Sequence, residues 1–233
     1  MLNILPTLDW IAFGWFLIVW FGYSLFANYR TKHHITLSIA LAEVRANWIK
    51  QALNREMRMA DVSALGILQR NVTFFASTTM FILAGLLTVL GAADQAIQLL
   101  NSLPFVAASS EAAWEFKLLV LVIIFVYAFF KFAWSMRQYN FALVVFGSAP
   151  AHNDLESDRV HFVNYMNQLL TRANNSFAYG LRGYSFAMAV LAWFIQPWLF
   201  ILATTWVLAV LYRRDFISVS LEALKHIYES EKI

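Results

Sequence analysis

The stretch that decides the fold of this chain is Phe116–Met136, FKLLVLVIIFVYAFFKFAWSM, in which the only charged residues are Lys117 and Lys131. It meets the requirement of roughly 20 apolar residues for a helix that crosses a bilayer core of about 30 Å. The same requirement is met by the stretches Trp10–Ala27, Val72–Ala92 and Gly183–Tyr212. The sequence therefore predicts an all-α, polytopic membrane bundle of about four transmembrane helices, forming a single domain over residues 1–233.

The composition favours a membrane location over a soluble fold. Of the 233 residues, 61% are hydrophobic and 13% are charged, whereas about a quarter of the residues in a soluble domain are charged. The absence of cysteine excludes disulfides, thiolate zinc sites and iron–sulfur clusters. The formal net charge of +3 is modest and the basic residues flank apolar segments, so we expect membrane lipids, and not nucleic acid, as partners.

The fourth apolar stretch is longer than a bilayer requires and contains Pro197 near its middle. A straight helix of about 30 residues would be about 45 Å long. Proline lacks a backbone N–H and disrupts a helix interior, so Pro197 either kinks one continuous helix or marks the tip of a broken hairpin. The kinked helix is the preferred prediction, because each half of the stretch alone is short for a crossing.

Basic residues distinguish the two sides of the predicted membrane. They are concentrated between the first two spans and between the last two, in segments of about 32–70 and 153–182 that we expect to be helical and cytoplasmic. The N-terminus is therefore predicted to lie outside, in the inner (plasma) membrane of a bacterium. Four crossings would leave the C-terminus outside together with Arg213 and Arg214, against the positive-inside rule. A broken hairpin would return both arginines to the cytoplasm.

The first cytoplasmic segment has the periodicity of an amphipathic helix. Leu37, Leu41, Val44 and Trp48 recur at steps of three and four residues, which places them on one helical face. We expect this face to pack on the protein's own bundle or to lie among lipid headgroups, and a partner-binding helix is the alternative. In the second segment, the capping-box pattern that ends at Glu156 predicts the start of another helix.

The densest group of metal-ligand residue types follows the third span: His152, Asp154, Glu156, Asp158 and His161, of which all but Glu156 are the candidate ligands. Asp154, Asp158 and His161 would share one helical face at spacings of four and three residues. Carboxylates suit hard cations, and imidazole suits transition metals. Acidic residues near a helix start are also favoured by capping and by the helix dipole. A capped helix start is therefore the default interpretation, and a metal site is the alternative.

Polar and small residues within the apolar stretches are candidates for a pathway through the membrane. Lys131 shares a helical face with Ser135 and Gln138. It either snorkels to the inner surface or makes a structural hydrogen bond, and a polar pathway inside the bundle is the alternative. The second span carries a row of small and hydroxyl residues, which favours close helix packing, with a pore lining as the alternative. The candidates for packing or for a pathway are Thr73, Ser77, Ala84, Thr88, Lys131, Ser135, Gln138 and Pro197.

Several short motifs belong together: Arg45-x-x-Trp48, Leu68-Gln-Arg-Asn71 followed by Phe75-Ala-Ser77, Arg182-Gly-Tyr-Ser-Phe186, Trp193 with Pro197, and Leu211-Tyr-Arg-Arg-Asp-Phe216. In this combination the chain resembles a widespread family of bacterial and plant membrane proteins that is catalogued only as a domain of unknown function. The resemblance covers nearly the whole chain and implies a four-span membrane protein. It implies no activity, cofactor or catalytic residue.

The sequence contains no motif of a familiar enzyme class. It has no Gly-rich phosphate loop, no Gly-x-Ser-x-Gly and no His-Glu-x-x-His, so we predict no catalytic residue and no cofactor. The first function hypothesis is a small channel or transporter, which would have to be a homo-oligomer because four helices around one axis enclose little space. The second is an accessory or assembly protein that presents its cytoplasmic helices to a protein partner. The third, a lipid-modifying enzyme, rests only on the His/acid group.

Overall fold

The computed structural model describes residues 5–33, 37–92, 110–151, 155–217 and 222. Within these residues the chain forms helices and no strand, which confirms the prediction of an all-α fold. The helices are α1 (Thr7–His33), α2 (Leu37–Leu53), α3 (Met59–Gly91), α4 (Glu111–Gly147), α5 (Glu156–Trp193) and α6 (Pro197–Phe216).

Three helices are long and apolar enough to cross a membrane. They are the segment Thr7–Ala27 of α1, together with α3 and α4, and their apolar 18-residue stretches have mean hydropathies of 1.7, 1.9 and 2.3 respectively. α3 has 33 residues and α4 has 37, so at 1.5 Å per residue they are about 50 and 55 Å long. A bilayer core of about 30 Å accommodates only part of either helix, and the remainder must extend beyond it.

The chain divides into two compact units, each held together by its own contacts. Unit 1 comprises Met1–Tyr29, Ser77–Phe129 and Gly180–Arg213, and unit 2 comprises Arg30–Ala76, Phe130–Tyr179 and Arg214–Ile233. α2 belongs to unit 2, whereas α3, α4 and α5 contribute residues to both units.

Aromatic rings fill the interior of unit 1. Phe16, Trp193 and Phe200 are among the largest fully buried side chains. The Trp193 ring stacks on Phe200 with 4.7 Å between the ring centroids. The Phe16 ring lies 5.2 Å from Phe200 and 5.8 Å from Phe186. Aromatic pairs of this kind contribute about 0.5–1.5 kcal/mol beyond the burial of their area, so this cluster holds α1, α5 and α6 together.

The ring contacts also give the direction of α5 relative to α1 within unit 1. Phe13 stacks on Trp193 with 5.6 Å between centroids. One helical turn further along α1 from Phe16, Trp20 stacks on Phe186 with 5.2 Å between centroids. Residue numbers rise along α1 while they fall along α5, so the two helices are antiparallel.

α6 has the opposite direction to α5. Phe16 of α1 contacts Phe200 at 5.2 Å, and Phe26 contacts Tyr212 at 6.3 Å. Residue numbers rise along both helices, so α6 is parallel to α1. Since α5 is antiparallel to α1, α5 and α6 form a helical hairpin, with residues 194–196 at its tip.

The prediction of one continuous, kinked helix over Gly183–Tyr212 is therefore wrong. α5 ends at Trp193, and α6 begins at Pro197. Proline is well suited to the first position of a helix, because the N–H that it lacks would have no intrahelical partner there and its φ angle already has a helical value. Pro197 thus starts a new helix instead of bending an old one.

The prediction of one continuous helix counted only the apolar residues before Pro197, which form one short half of the stretch. α5 has 38 residues and begins at Glu156. The polar residues that precede Gly183 continue the same helix, so the helix before the proline is long although only its last part, from Gly183 to Trp193, is apolar. The hairpin thus consists of two separate helices, neither of which is among the three that are long and apolar enough to cross a membrane.

α2 lies along α5 in unit 2. Ser38 Oγ donates a hydrogen bond to Asn175 Oδ1 at 3.1 Å, and Arg45 Nη1 donates to Thr171 Oγ1 at 2.9 Å. Ile49 of α2 is fully buried. The amphipathic α2 is thus packed against its own protein along part of its length.

α3 and α4 pair within unit 2. Gln69 Nε2 donates to Asn140 Oδ1 at 2.8 Å, and the Phe75 ring lies 5.6 Å from Phe132. The opposite order of these residues along the two helices makes α3 and α4 antiparallel. The Phe75 ring also lies 5.4 Å from Phe177 of α5, so an aromatic contact joins all three helices.

Arg58 ties the segment after α2 to the segment after α4. Its Nη1 donates to Ala149 O at 3.2 Å, and its Nη2 donates to Pro150 O at 2.8 Å and to Leu53 O at 3.3 Å. Backbone carbonyls at and beyond helix ends have no intrahelical partner. A single guanidinium satisfies three of them here and fixes both connections.

Candidate functional site

The proposed metal ligands are only partly placed by the structure. His152 and Asp154 lie outside the described residues, whereas Asp158 and His161 are exposed on α5. Among the residues that the structure describes, no group of three or more His, Cys, Asp or Glu side chains could hold a metal ion. The metal site, and the lipid-modifying activity that depended on it, stay predictions.

The polar face of α4 joins helices within unit 2. Ser135 is buried, and its Oγ donates to Ala173 O of α5 at 2.7 Å. Gln138 is also buried. Lys131 is half-buried, with its Nζ 5.4 Å from the centroid of the Tyr179 ring. Each of these side chains is directed at α5 or enclosed by the unit, which is the arrangement of a packing interface.

The small and hydroxyl row of α3 faces outward. Ser77, Ala84 and Thr88 are exposed, and Thr88 Oγ1 donates to Ala84 O at 2.9 Å. Phe81 belongs to the same row and is 78% exposed. Thr73 is half-buried and donates to its own helix at Gln69 O. The alternation of four- and three-residue steps from Ser77 to Thr88 is the spacing of a helix–helix contact face.

A buried ion pair in unit 1 was not anticipated from the sequence. Asp9 and Lys117 are 4% and 2% exposed, and Lys117 Nζ lies 3.3 Å from Asp9 Oδ1. Trp193 Nε1 donates to the same carboxylate oxygen at 2.5 Å. Lys117 Nζ in turn donates to Trp193 O at 3.1 Å. The three residues form a closed cluster that joins α1, α4 and α5.

The ends of two helices help to neutralise this cluster. Asp9 lies in the first turn of α1, where the helix dipole and free N–H groups favour a negative charge. Lys117 donates to the carbonyl of the last residue of α5, where the dipole favours a positive charge. Each charge is thus stabilised both by the opposite charge and by a helix end. A buried ion pair needs such additional interactions to offset the hydration that it loses.

No local pattern in the sequence pairs Asp9 with Lys117. Each lies at the edge of an apolar stretch, which is a common place for a charged residue, and more than a hundred residues separate them. The one signal that could have directed attention to the cluster is Trp193, which belongs to the family-like motifs. Its indole N–H needs a partner when the ring is buried.

A second buried carboxylate lies in unit 2. Asp61 is 2% exposed, and its Oδ1 accepts from Trp48 Nε1 at 2.8 Å and from Arg55 Nη1 at 2.5 Å. Its Oδ2 has no hydrogen-bond partner among the described residues. Asp61 lies in the first turn of α3, where the helix dipole favours its charge. This carboxylate connects α2 to the start of α3.

The family-like motif Arg45-x-x-Trp48 therefore has an intramolecular role. Arg45 binds Thr171 of α5, and Trp48 binds Asp61 of α3. Burial lowers the pKa of the Arg45 guanidinium from its ordinary value, but arginine stays protonated at neutral pH. The motif thus holds α2 to its neighbours.

A groove of about 840 Å³ runs along the hairpin between α5 and α6. Its lining includes Ala192, Leu199, Ala203 and Trp206, with Thr205 as its one hydroxyl residue. Thr205 Oγ1 accepts a hydrogen bond from Trp15 Nε1 at 3.3 Å. The groove carries no charged side chain, so it suits an acyl chain or another helix better than an ion.

Comparison with known proteins gives one match. The model of the family described as "Protein of unknown function, DUF599" matches residues 11–220. No curated protein and no solved structure matches the chain. The match covers most of the chain, including the buried cluster residues Lys117 and Trp193 and both helices of the hairpin. This protein therefore belongs to the DUF599 family.

Proposed function

We propose that this protein associates with copies of itself through α3 and forms a small channel or transporter-like assembly in a membrane. The observation that carries the proposal is the outward position of Ser77, Phe81, Ala84 and Thr88 on α3. Small residues at helical spacing allow two membrane helices to approach closely. Because these side chains are exposed in unit 1, they are available to a second copy.

The interior of unit 1 in a single copy is filled, so we place the proposed pathway between copies. The rings of Phe16, Trp193 and Phe200 fill the space among α1, α5 and α6. A polar solute or ion needs polar groups along its path. If copies meet at Ala84 and Thr88, the exposed hydroxyl of Ser77 in the same row of α3 would lie beside a path between them.

The hairpin changes the proposed membrane topology. With the start of α1 outside, α6 returns to the inner side and ends near Arg213 and Arg214, as the positive-inside rule requires. The chain would then cross the bacterial inner membrane five times, through α1, α3, α4, α5 and α6. The predicted four crossings treated the hairpin as one span.

The proposal predicts a homo-oligomer whose mass depends on the outward row of α3. Ala84→Leu and Thr88→Leu should shift the protein towards monomer, because a larger side chain forces the helices apart. The matched control is Ala209→Leu, at an exposed alanine of α6. The measurement is mass by light scattering, with the detergent contribution removed.

The same variants test the transport part of the proposal. Vesicles that contain the wild type should release a small trapped ion faster than empty vesicles, and Thr88→Leu should reduce that rate several-fold. A wild-type monomer in several detergents and in nanodiscs would contradict the oligomer. A stable oligomer without any flux would contradict the channel and leave the association intact.

A second candidate function is an accessory protein that docks a cytoplasmic partner. Met57, Met59 and Leu155 are 78%, 75% and 71% exposed. Arg58, between the two methionines, joins the start of α3 to the segment after α4 by binding Ala149 O. Such exposed large apolar side chains in one part of unit 2 are typical of a docking surface. A monomeric wild type in the mass measurement would favour this function over the channel.

A further inference from the structure

Exposed aromatic rings follow one face of α4 in unit 2. Phe130 is 66% exposed, Trp134 is 52% and Phe141 is 43%, and their spacings of four and seven residues place them on one side of a helix. Arg137 is exposed within this row, with its guanidinium 5.4 Å from the centroid of the Phe141 ring. Large rings in such a row require a partner or a lipid environment.

α3 contributes a second exposed arginine. Arg70 is exposed, and Phe74, one turn further along the helix, is 65% exposed. Within the described part of the chain, Arg70 forms no hydrogen bond or ion pair. Its side chain is exposed and therefore accessible to a ligand.

Helix geometry places Arg70 and Arg137 on the same side of the α3–α4 pair. The hydrogen bond between Gln69 and Asn140 marks where the two antiparallel helices face each other. A helix turns by about 100° per residue, so Arg70, one residue after Gln69, is rotated by about 100° in the direction in which α3 winds. Arg137 lies three residues before Asn140, a rotation of about −300°, which equals about 60° in the direction in which α4 winds. In antiparallel helices that face each other, rotations of the same sense lead to the same side.

Acidic residues do not balance these arginines along either helix. The sequence has no Asp or Glu from Val62 to Gly91 or from Phe116 to Gly147. The acid closest to Arg70 along the chain is Asp61, whose buried carboxylate already binds Trp48 and Arg55. The face is therefore both aromatic and positively charged.

We infer that this surface binds the headgroup of an anionic phospholipid in the cytoplasmic leaflet. We name it the α3–α4 arginine face, and its residues are Arg70, Phe74, Phe130, Trp134, Arg137 and Phe141. A guanidinium binds phosphate oxygens through two parallel hydrogen bonds. Indole and phenyl rings pack among headgroups and the upper acyl chains. Two positive charges favour a lipid with a net negative charge over one whose own cation repels them.

The depth of the two arginines agrees with this assignment, which rests on the proposed membrane orientation. A bilayer core takes about 20 helical residues. Counted inward from Gly91 on α3 and from Phe116 on α4, about 20 residues end close to Arg70 and Arg137 respectively. Both guanidiniums then lie just beyond the hydrocarbon, at the level of the lipid phosphates.

The test measures lipid preference with the full-length protein in mixed vesicles. Spin-labelled phosphatidylglycerol and phosphatidylcholine report, by electron paramagnetic resonance, the fraction of each lipid held at the protein surface. The double variant Arg70→Gln/Arg137→Gln should lose the preference for phosphatidylglycerol, by about fivefold per arginine. Arg172→Gln, at an exposed arginine of α5, is the matched control and should keep it.

Several outcomes would overturn the inference. One is a wild type without preference for phosphatidylglycerol, and another is a double variant that retains the preference. If the double variant fails to fold, Arg70→Lys/Arg137→Lys is used, which should keep a preference through its charge but a weaker one. A disulfide between copies that carry Trp134→Cys would show that a second copy, and not lipid, covers the face. If the protein is a monomer that prefers phosphatidylglycerol, only the oligomer of the proposed function is contradicted. If it is an oligomer without that preference, only this inference is contradicted.

Discussion

At the scale of single residues, the cluster of Asp9, Lys117 and Trp193 fixes three helices at one place in unit 1. The carboxylate accepts from both other side chains, and the lysine also donates to the carbonyl of Trp193. Removing one member of a buried ion pair leaves an uncompensated charge, which costs about 3–5 kcal/mol. Replacing both members by neutral groups is often far less costly.

We therefore predict that Lys117→Met destabilises the protein more than Asp9→Asn/Lys117→Met does. The single variant leaves Asp9 charged and buried, whereas in the double variant an amide still accepts from Trp193 Nε1. Lys50→Met, at an exposed lysine of α2, is the control and should change stability by less than about 0.5 kcal/mol. The measurement is thermal unfolding in one detergent at one protein concentration. Equal losses for the single and the double variant would show that the buried charge is not the cause.

The sequence could not reveal this cluster, because the fold brings its members together from the ends of distant helices. Ser135, in contrast, was predicted from its helical face to serve either packing or a pathway, and its hydrogen bond to Ala173 O is a packing contact. Periodicity along one helix predicts which residues share a face. It does not predict which face meets which helix.

At the scale of elements, the apolar stretches predicted where helices occur better than where they end. The apolar residues Phe141–Phe146 predict that the third helix can continue past Met136 to Gly147, where α4 does end, but the sequence did not predict that α4 begins as early as Glu111. Hydrophobicity marks the part of a helix that fits in lipid, whereas the helix continues as long as its backbone bonds and packing persist. The same reason accounts for the error at Pro197, since α5 extends far into a polar segment.

The hairpin makes a prediction about topology that single cysteines can test, because the chain has no cysteine of its own. An impermeant thiol reagent applied to intact cells should label Ser110→Cys, which lies just before α4. Ser63→Cys and Ile217→Cys should be labelled only after permeabilisation, because α3 begins and α6 ends on the inner side. Labelling of Ile217→Cys in intact cells would contradict the hairpin as a membrane-crossing pair. Labelling of Ser63→Cys would reverse the proposed orientation.

At the scale of the whole molecule, unit 1 has an aromatic interior and an outward row on α3 in which Ser77, Ala84 and Thr88 are small and Phe81 is large. Aromatic packing among Phe16, Trp193 and Phe200 leaves the centre of one copy filled. Association in lipid depends on close packing of helices and not on the hydrophobic effect. The exposed Ala84 and Thr88 are the positions at which such packing would bring two copies closest.

The central claim is that copies meet along α3, and cysteine cross-linking in native membranes tests it most directly. A disulfide requires Cα atoms about 4.4–6.8 Å apart, so it forms only where two helices are in close contact. Under mild oxidation, Ala84→Cys and Thr88→Cys should each give a covalent dimer on a non-reducing gel. Ala76→Cys, which is buried on α3, and Ala209→Cys, which is exposed on α6, should remain monomeric. Membrane-inserted Ala84→Cys and Thr88→Cys proteins that give no dimer would contradict the account.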